Sequence, residues 1–258
     1  MEIINCDTYQ EQPIKHHFLI PDCHYMLVGS TGQGKTNVLV NLLLKYFNAD
    51  QIVIYTLNPQ QEKYQLLKDF FDCVHQFDPS KPKKSTKTLL EEMKQLSCGN
   101  PELCNLLKDC FVRLLESDRL GITFELGEDV APVENLDDIE QKVIVFDDLK
   151  LDNMNPVKEY FSLSRNKSCN CLYLCQSYYD VPKYIRRNTK CFVLFNGLDN
   201  KDVRCIAHDH SAGITSDEFV RVYHAATESP FSFMVLDKTA RLPPEMYRKG
   251  FDCFYQKT

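Results

Sequence analysis

Continuous apolar runs, rather than alternating ones, recur along this chain. KVIVFDD, NCLYLCQ and KCFVLF each hold four or five apolar residues in succession, the pattern of parallel strands covered on both faces. CHYMLVG and QIVIYT read the same way, and FSFMVLD adds a late strand. Between these runs the period changes. TNVLVNLLLKYF places apolar residues at helical spacing, EKYQLLKDFF gives a second helix, and TSDEFVRVYHAA opens with Thr215 and Glu218 at the spacing of a capping box. Strands alternating with helices predict an α/β fold with a mostly parallel central sheet flanked by helices.

Residues 75–140 depart from that rhythm. DPSKPKKSTK reads as a polar linker, TKTLLEEMKQL and ELCNLLKDCFVRLLESD as two helices with charged faces, and ELGEDVAPVENLDD as an acidic loop. This segment carries 8 Lys and Arg against 14 Asp and Glu, and so holds the whole net charge of −6, while the remainder has 22 of each sign. The plainest organisation is one domain over residues 1–258 with a helical, acidic insertion at 75–140. A broadly basic surface is absent, so any contact with nucleic acid must use local loops or a pore.

The composition, 43% hydrophobic and 26% charged over 258 residues, fits a globular domain with a sizeable core. No apolar run reaches the eighteen or so residues of a membrane span, and MEIINCDTYQEQ has neither the basic region nor the apolar core of a signal peptide. The 12 cysteines include no CxxC pair. Cys205, His208 and His210 lack a fourth ligand for a metal. Reduced structural thiols in a reducing, intracellular compartment are expected.

The chemistry is concentrated at VGSTGQGKTN. Gly29, Ser30, Thr31, Gly32, Gln33, Gly34, Lys35 and Thr36 fit G-x-x-x-x-G-K-[ST], with Asn37 following, a strand before and a helix after. Small residues let the backbone wrap a polyphosphate and turn successive N–H groups inward at a helix N-terminus. Lys35 would reach the β and γ phosphates, and the Thr36 hydroxyl would coordinate Mg²⁺. The bare pattern arises by chance in roughly one chain in a hundred of this length, and its strand–loop–helix setting makes it more specific.

Such a loop needs a carboxylate beside the metal, and KVIVFDDLK supplies two at a strand end. Asp147 sits where the metal-associated aspartate belongs. Asp148 follows, where many motor ATPases place a glutamate that polarises the attacking water. Two adjacent acids otherwise read as a solvated turn; the upstream loop gives them a function. The strand NCLYLCQ ends on Gln176. In the additional-strand class of P-loop ATPases, a further strand lies between the P-loop strand and the carboxylate strand and ends in a polar residue near the γ-phosphate. Asn200-Lys201-Asp202-Val203 is a near miss to the guanine-reading N-K-x-D and argues against GTP specificity.

Taken together, GSTGQGKT, VIVFDDL, SRNKSCNCLYLCQSYYDVPKYIRRN and YRKGFD resemble the poxvirus-type genome-packaging ATPases of the FtsK–HerA superfamily, from about His17 to Asp252 excluding most of 75–140. The resemblance implies a RecA-like fold, ATP and Mg²⁺ as ligands, and a homo-oligomeric ring of five or six subunits. It also implies double-stranded DNA and viral capsid proteins as partners, in host cytoplasm, nucleus, virus factory or virion. By the same resemblance, Gly29 to Thr36 would be the Walker A loop, Asp147 and Asp148 the Walker B pair, and Gln176 the sensor. An arginine acting on a neighbouring subunit's site would be Arg165, with Arg186 or Arg187 as alternatives. Tyr178, Tyr179 and Lys183 could face a DNA channel, and Arg248 and Lys249 of YRKGFD could touch DNA. Two other functions remain open: a nucleotide-gated capsid-binding or scaffolding module with weak hydrolysis, and a non-viral DNA-pumping ATPase.

Overall fold

A computed structural model describes residues 9–13, 23–136, 140–149, 154–163, 168–211, 213–240, 243–251 and 253–257. Among the described residues ten strands form one sheet. They are β1 (Tyr9–Pro13), β2 (His24–Val28), β3 (Gln51–Thr56), β4 (Thr123–Gly127), β5 (Lys142–Asp147), β6 (Cys169–Cys175), β7 (Cys191–Phe195), β8 (Phe233–Asp237), β9 (Tyr247–Lys249) and β10 (Cys253–Lys257). The order across the sheet is β1-β10-β9-β8-β7-β2-β6-β5-β3-β4. From β7 to β4 every pairing is parallel, whereas β8, β9, β10 and β1 add on antiparallel.

Among the described residues eight α-helices cover this sheet: α1 (Lys35–Lys45), α2 (Glu62–His75), α3 (Pro82–Leu96), α4 (Pro101–Glu116), α5 (Asn155–Leu163), α6 (Lys183–Asn188), α7 (Asn200–His210) and α8 (Ser216–Ala226). The parallel strands are apolar throughout because each feeds two cores. Tyr25, Leu27, Val143, Val145, Leu172 and Leu174 pack with the buried faces of α1 to α4. Met26, Val28, Ile144, Phe146, Cys171 and Tyr173 pack with α5 to α8. The result is a three-layer α/β/α arrangement, the architecture expected from the unbroken apolar runs.

The structure alters the sequence picture in several places. The expected linker DPSKPKKSTK becomes helical from Pro82, since proline suits the first helical turn, where its missing N–H costs no bond. Leu89, Met93, Leu107, Phe111 and Leu114 of α3 and α4 join the core that α1 and α2 line, at about 2 kcal/mol of burial each. Part of the expected acidic loop, Glu125 to Gly127, is instead the end of edge strand β4. The Thr215–Glu218 capping box at the start of α8 is formed in both directions.

Candidate functional site

The C-terminal ends of β2, β6 and β5 meet at one place. Leaving β2, the chain must pass Phe195 of β7 so closely that a Cβ on Gly29 would lie 2.7 Å from the Phe195 Cβ. Only glycine fits there. Gly32 and Gly34 then take φ of +83° and +96°, the left-handed region that glycine enters without steric cost. The second of them starts α1, whose N-terminus has no side-chain cap. Its first N–H groups therefore face the loop interior, as anion binding at a helix N-terminus requires.

Lys35 curls back over this loop. Its ammonium donates to the Gly29 carbonyl and, at 3.1 Å, to the Ser30 carbonyl. Burial lowers the Lys35 pKa from its ordinary value, against the upward pull of Cys175, Asp147 and Asp148. Carbonyls are weak counter-groups for a half-buried ammonium, which is thus poised for a stronger anion.

Asp147 closes β5. Burial raises its pKa, and the neighbouring Asp148 adds to that, while Tyr64 and Lys35 act the other way. The Tyr64 hydroxyl, fully buried on α2, donates to Asp147 Oδ2, and the Thr36 side chain lies close enough to pull the Tyr64 pKa down against its burial. Thr36, Tyr64 and Asp147 thereby form one cluster of oxygens at the foot of α1. A hydroxyl and a carboxylate, hard donors with an incompletely compensated charge, fit Mg²⁺, which usually takes one or two protein oxygens and fills its shell with phosphates and water. Among the described residues no group of three or more His, Cys, Asp or Glu side chains could hold a metal by itself, so the phosphates would have to share the ligation.

Asp148 is exposed, with a φ of +50° that turns its side chain out of the strand direction. It receives the Gln176 Nε2 donor at 2.5 Å. The residues the sequence placed at two separate strand ends therefore form a pair. Strand β6 holds the site together: Gly29 N donates to Cys175 O at 3.1 Å, and Asp148 N donates to Leu174 O at 3.1 Å. One strand's last two carbonyls thus anchor both the phosphate loop and the carboxylate turn.

The intervening strand decides the topology. This is an additional-strand P-loop fold. No family model matches the chain, and no curated protein does. Among solved structures it is similar to the DNA-packaging ATPase B204 from Sulfolobus Turreted Icosahedral Virus, with a TM-score of 0.47 and 12% identity, over 93% of this chain and 100% of that one. It is also similar to the genome packaging NTPase B204 from Sulfolobus turreted icosahedral virus 2 in complex with AMPPCP, with a TM-score of 0.46 and 13% identity, over 92% of this chain and 98% of that one. EssC (ATPases 2 and 3) from Geobacillus thermodenitrificans gives 0.41 and 12%, over 91% of this chain and 39% of that one. At such identities no residue role passes from these proteins to this chain.

Beyond Gln176 the chain enters a polar network. Buried Asp202, at the start of α7, accepts from Ser177 Oγ at 3.2 Å and from Tyr179 N at 2.8 Å. Tyr178 is fully buried, which corrects the expectation that it faces a channel. Its hydroxyl donates to Asp209 at 2.9 Å and lies 2.8 Å from His210 Nε2. Lys238 sits 3.3 Å from His210 Nδ1; an ammonium only donates, so Nδ1 accepts and the neutral ring carries its proton on Nε2. Burial first and Lys238 second push the His210 pKa down to about 4.

The arginines fare differently. Arg165 lies outside the described residues. Arg186 pairs with Asp209 at 3.1 Å, stacks on Tyr178 at 4.8 Å and meets Cys205 Sγ at 3.2 Å, so its own fold holds it. Arg187 is exposed. Arg248 is buried against Asp237 at 2.6 Å, which corrects its expected role as a DNA contact. Tyr179, Lys183, Tyr184, Arg187 and Lys201 are exposed, and the Lys201 ammonium lies 3.5 Å from the Tyr179 ring centroid.

Tyr64 is a functional candidate that the sequence does not point to: it lies on the buried face of α2, and nothing local announces a partner 83 residues away.

Proposed function

We propose that this chain is an ATP-driven translocase of double-stranded DNA that packages a viral genome into a capsid. The observation that carries the ATP part is the meeting of Lys35, Asp147 and the Asp148–Gln176 pair at adjacent strand ends. The order and spacing of the motifs, which resemble the poxvirus-type packaging ATPases, support the packaging part. Residues 1–258 would act as one domain, with 75–140 an insertion within it.

In this reading the loop from Gly29 to Thr36, with Asn37 at its end, binds the phosphates of ATP through backbone N–H groups. Lys35 exchanges its two carbonyl partners for phosphate oxygens. Thr36 and Asp147 hold Mg²⁺, which when bound offsets phosphate charge. Asp148 accepts the proton of the attacking water, and Gln176 orients both. Release of the Gln176–Asp148 bond on ATP binding would reach Ser177 and Tyr179, and through Asp202 the start of α7. The exposed Tyr179, Lys183, Tyr184, Arg187 and Lys201 are the chain's own candidates for contact with a DNA backbone, where cations meet phosphates and aromatic rings meet bases. A neighbouring subunit's Arg165, or else Arg187, would complete the site in a ring, acting on the charge that develops during transfer.

Calorimetric titration with Mg·ATP tests the foundation. The native chain should bind with a dissociation constant in the micromolar range, and Lys35→Ala should weaken binding by about a hundredfold, the order of a lost charge-assisted contact. Equal binding by both proteins would exclude the loop as the phosphate site.

A further inference from the structure

The turn between α8 and β8 holds a phenylalanine where glycine belongs. Ser232 N donates to Ser229 O at 3.2 Å, closing a four-residue turn with Pro230 and Phe231 at its centre. Proline at the second position and positive φ at the third is the type II pattern, and the third position ordinarily requires glycine. Phe231 occupies it with φ of +62°. A bulky side chain is rarely held in that region, and strain of this kind persists only where the surroundings enforce it. The surroundings do so here: Asn196 N donates to Ser232 O at 3.0 Å, and Asn196 Nδ2 to Ser229 O at 3.3 Å.

The strained ring is also left in water. Phe231 is 68% exposed, the highest value among the large apolar side chains of the described residues. Its Cδ1 lies 3.9 Å from the position a Cβ would take on Gly34, so the ring stands beside the phosphate loop at the first turn of α1.

Its side of the loop matters. The sheet order is β8-β7-β2-β6-β5, with Asp148 and Gln176 at the ends of β5 and β6, and Phe231 just ahead of β8. A triphosphate whose terminal phosphate lies by Asp148 and Gln176 directs its other end away from β6, across the N-terminus of α1, toward β7 and β8. Phe231 is the exposed aromatic surface there.

We propose that Phe231 is the stacking platform for the base of the bound nucleoside triphosphate. The inference rests on the reading of the loop as an ATP site. It explains both anomalies together: the turn spends strain to present a rigid ring, and the ring stays exposed because its partner is the ligand. Stacking on an aromatic face accepts any planar base and favours the larger purines, since it reads area rather than hydrogen-bond pattern.

The chain contains no tryptophan, so Phe231→Trp introduces a single reporter at the site. ATP should change its fluorescence strongly, whereas inorganic tripolyphosphate, which has the phosphates and no base, should not. In parallel, Phe231→Gly removes the ring while restoring the residue the turn prefers, so its melting temperature should equal or exceed the native one. That variant should bind ATP about tenfold more weakly and tripolyphosphate as well as the native chain. Equal tryptophan responses to the two ligands, or unchanged ATP affinity in Phe231→Gly, would overturn the platform while leaving the phosphate site intact. A native chain that binds neither ligand would overturn both readings. Should Phe231→Gly fail to fold, the tryptophan response alone decides.

Discussion

The Gln176 side-chain amide donates to the Asp148 carboxylate across the ends of two neighbouring strands. A carboxylate that accepts this donor has one fewer lone pair for water, so in the proposed reading ATP would have to rearrange this pair. Gln176→Ala should leave ATP affinity within about twofold, because the phosphates are held by the loop. Turnover should fall by about 10- to 100-fold, and Asp148→Asn should lower it by 10² or more, the usual scale of a lost general base. Single-turnover hydrolysis with saturating ATP separates the two effects. A variant that loses affinity and keeps its rate constant would place Gln176 in binding instead.

Tyr64 gives a second test. Its hydroxyl orients Asp147 from behind, as partners of metal-binding carboxylates commonly do. Tyr64→Phe removes one oxygen and keeps the ring in the core. The Mg²⁺ concentration for half-maximal ATP hydrolysis should rise by about tenfold, with the rate at saturating Mg²⁺ less affected. An unchanged Mg²⁺ requirement would make Tyr64 a packing residue only.

His210 makes stability depend on pH in a defined window. The folded chain holds the ring neutral down to about pH 4, against an ordinary value of 6.5, so the unfolded chain binds more protons between those limits. Stability therefore rises with pH across the window and falls on acidification from 6.5 toward 4, by up to about 3 kcal/mol from this residue. Comparing urea unfolding of the native chain and His210→Gln at several pH values isolates that share. A stability difference between them that does not vary with pH would contradict the buried neutral assignment.

The exposed patch beyond Gln176 predicts a separation of functions under the proposed reading. Tyr179→Ala combined with Lys183→Ala should keep basal ATP turnover within about twofold and cut its stimulation by duplex DNA at least fivefold. The remaining stimulation should also depend less steeply on salt, since a phosphate contact is gone. Undiminished stimulation would move the DNA-binding surface elsewhere on the chain.

The sequence revealed those parts of the molecule whose physical cause is local. Strands β2, β3, β5, β6 and β7 were legible because burial on both faces makes them apolar without interruption. The phosphate loop was legible because its glycines and Lys35 lie within eight consecutive residues. Strand β4 was not, since an edge strand with half-exposed positions has no apolar run. Helix α7 escaped because its buried face includes Asp202 and His210, whose partners lie in the segment after β6 and, for His210, also at Lys238 after β8. The same reason hid the Tyr64–Asp147 contact and the burial of Tyr178, each explained by a partner distant in sequence, while Arg248 is buried by Asp237, 11 residues back on the neighbouring strand β8. Phe231 belongs with them, because only the fold brings the turn before β8 beside Gly34.

The central claim is that ATP hydrolysis at this site is coupled to duplex DNA. It is tested most directly by steady-state ATP turnover of the native chain, Lys35→Ala and Asp148→Asn, each with and without linear double-stranded DNA. The account predicts measurable native turnover that DNA raises severalfold, and two variants at background under both conditions. A native rate no higher than that of Lys35→Ala, or a real rate indifferent to DNA, would contradict it.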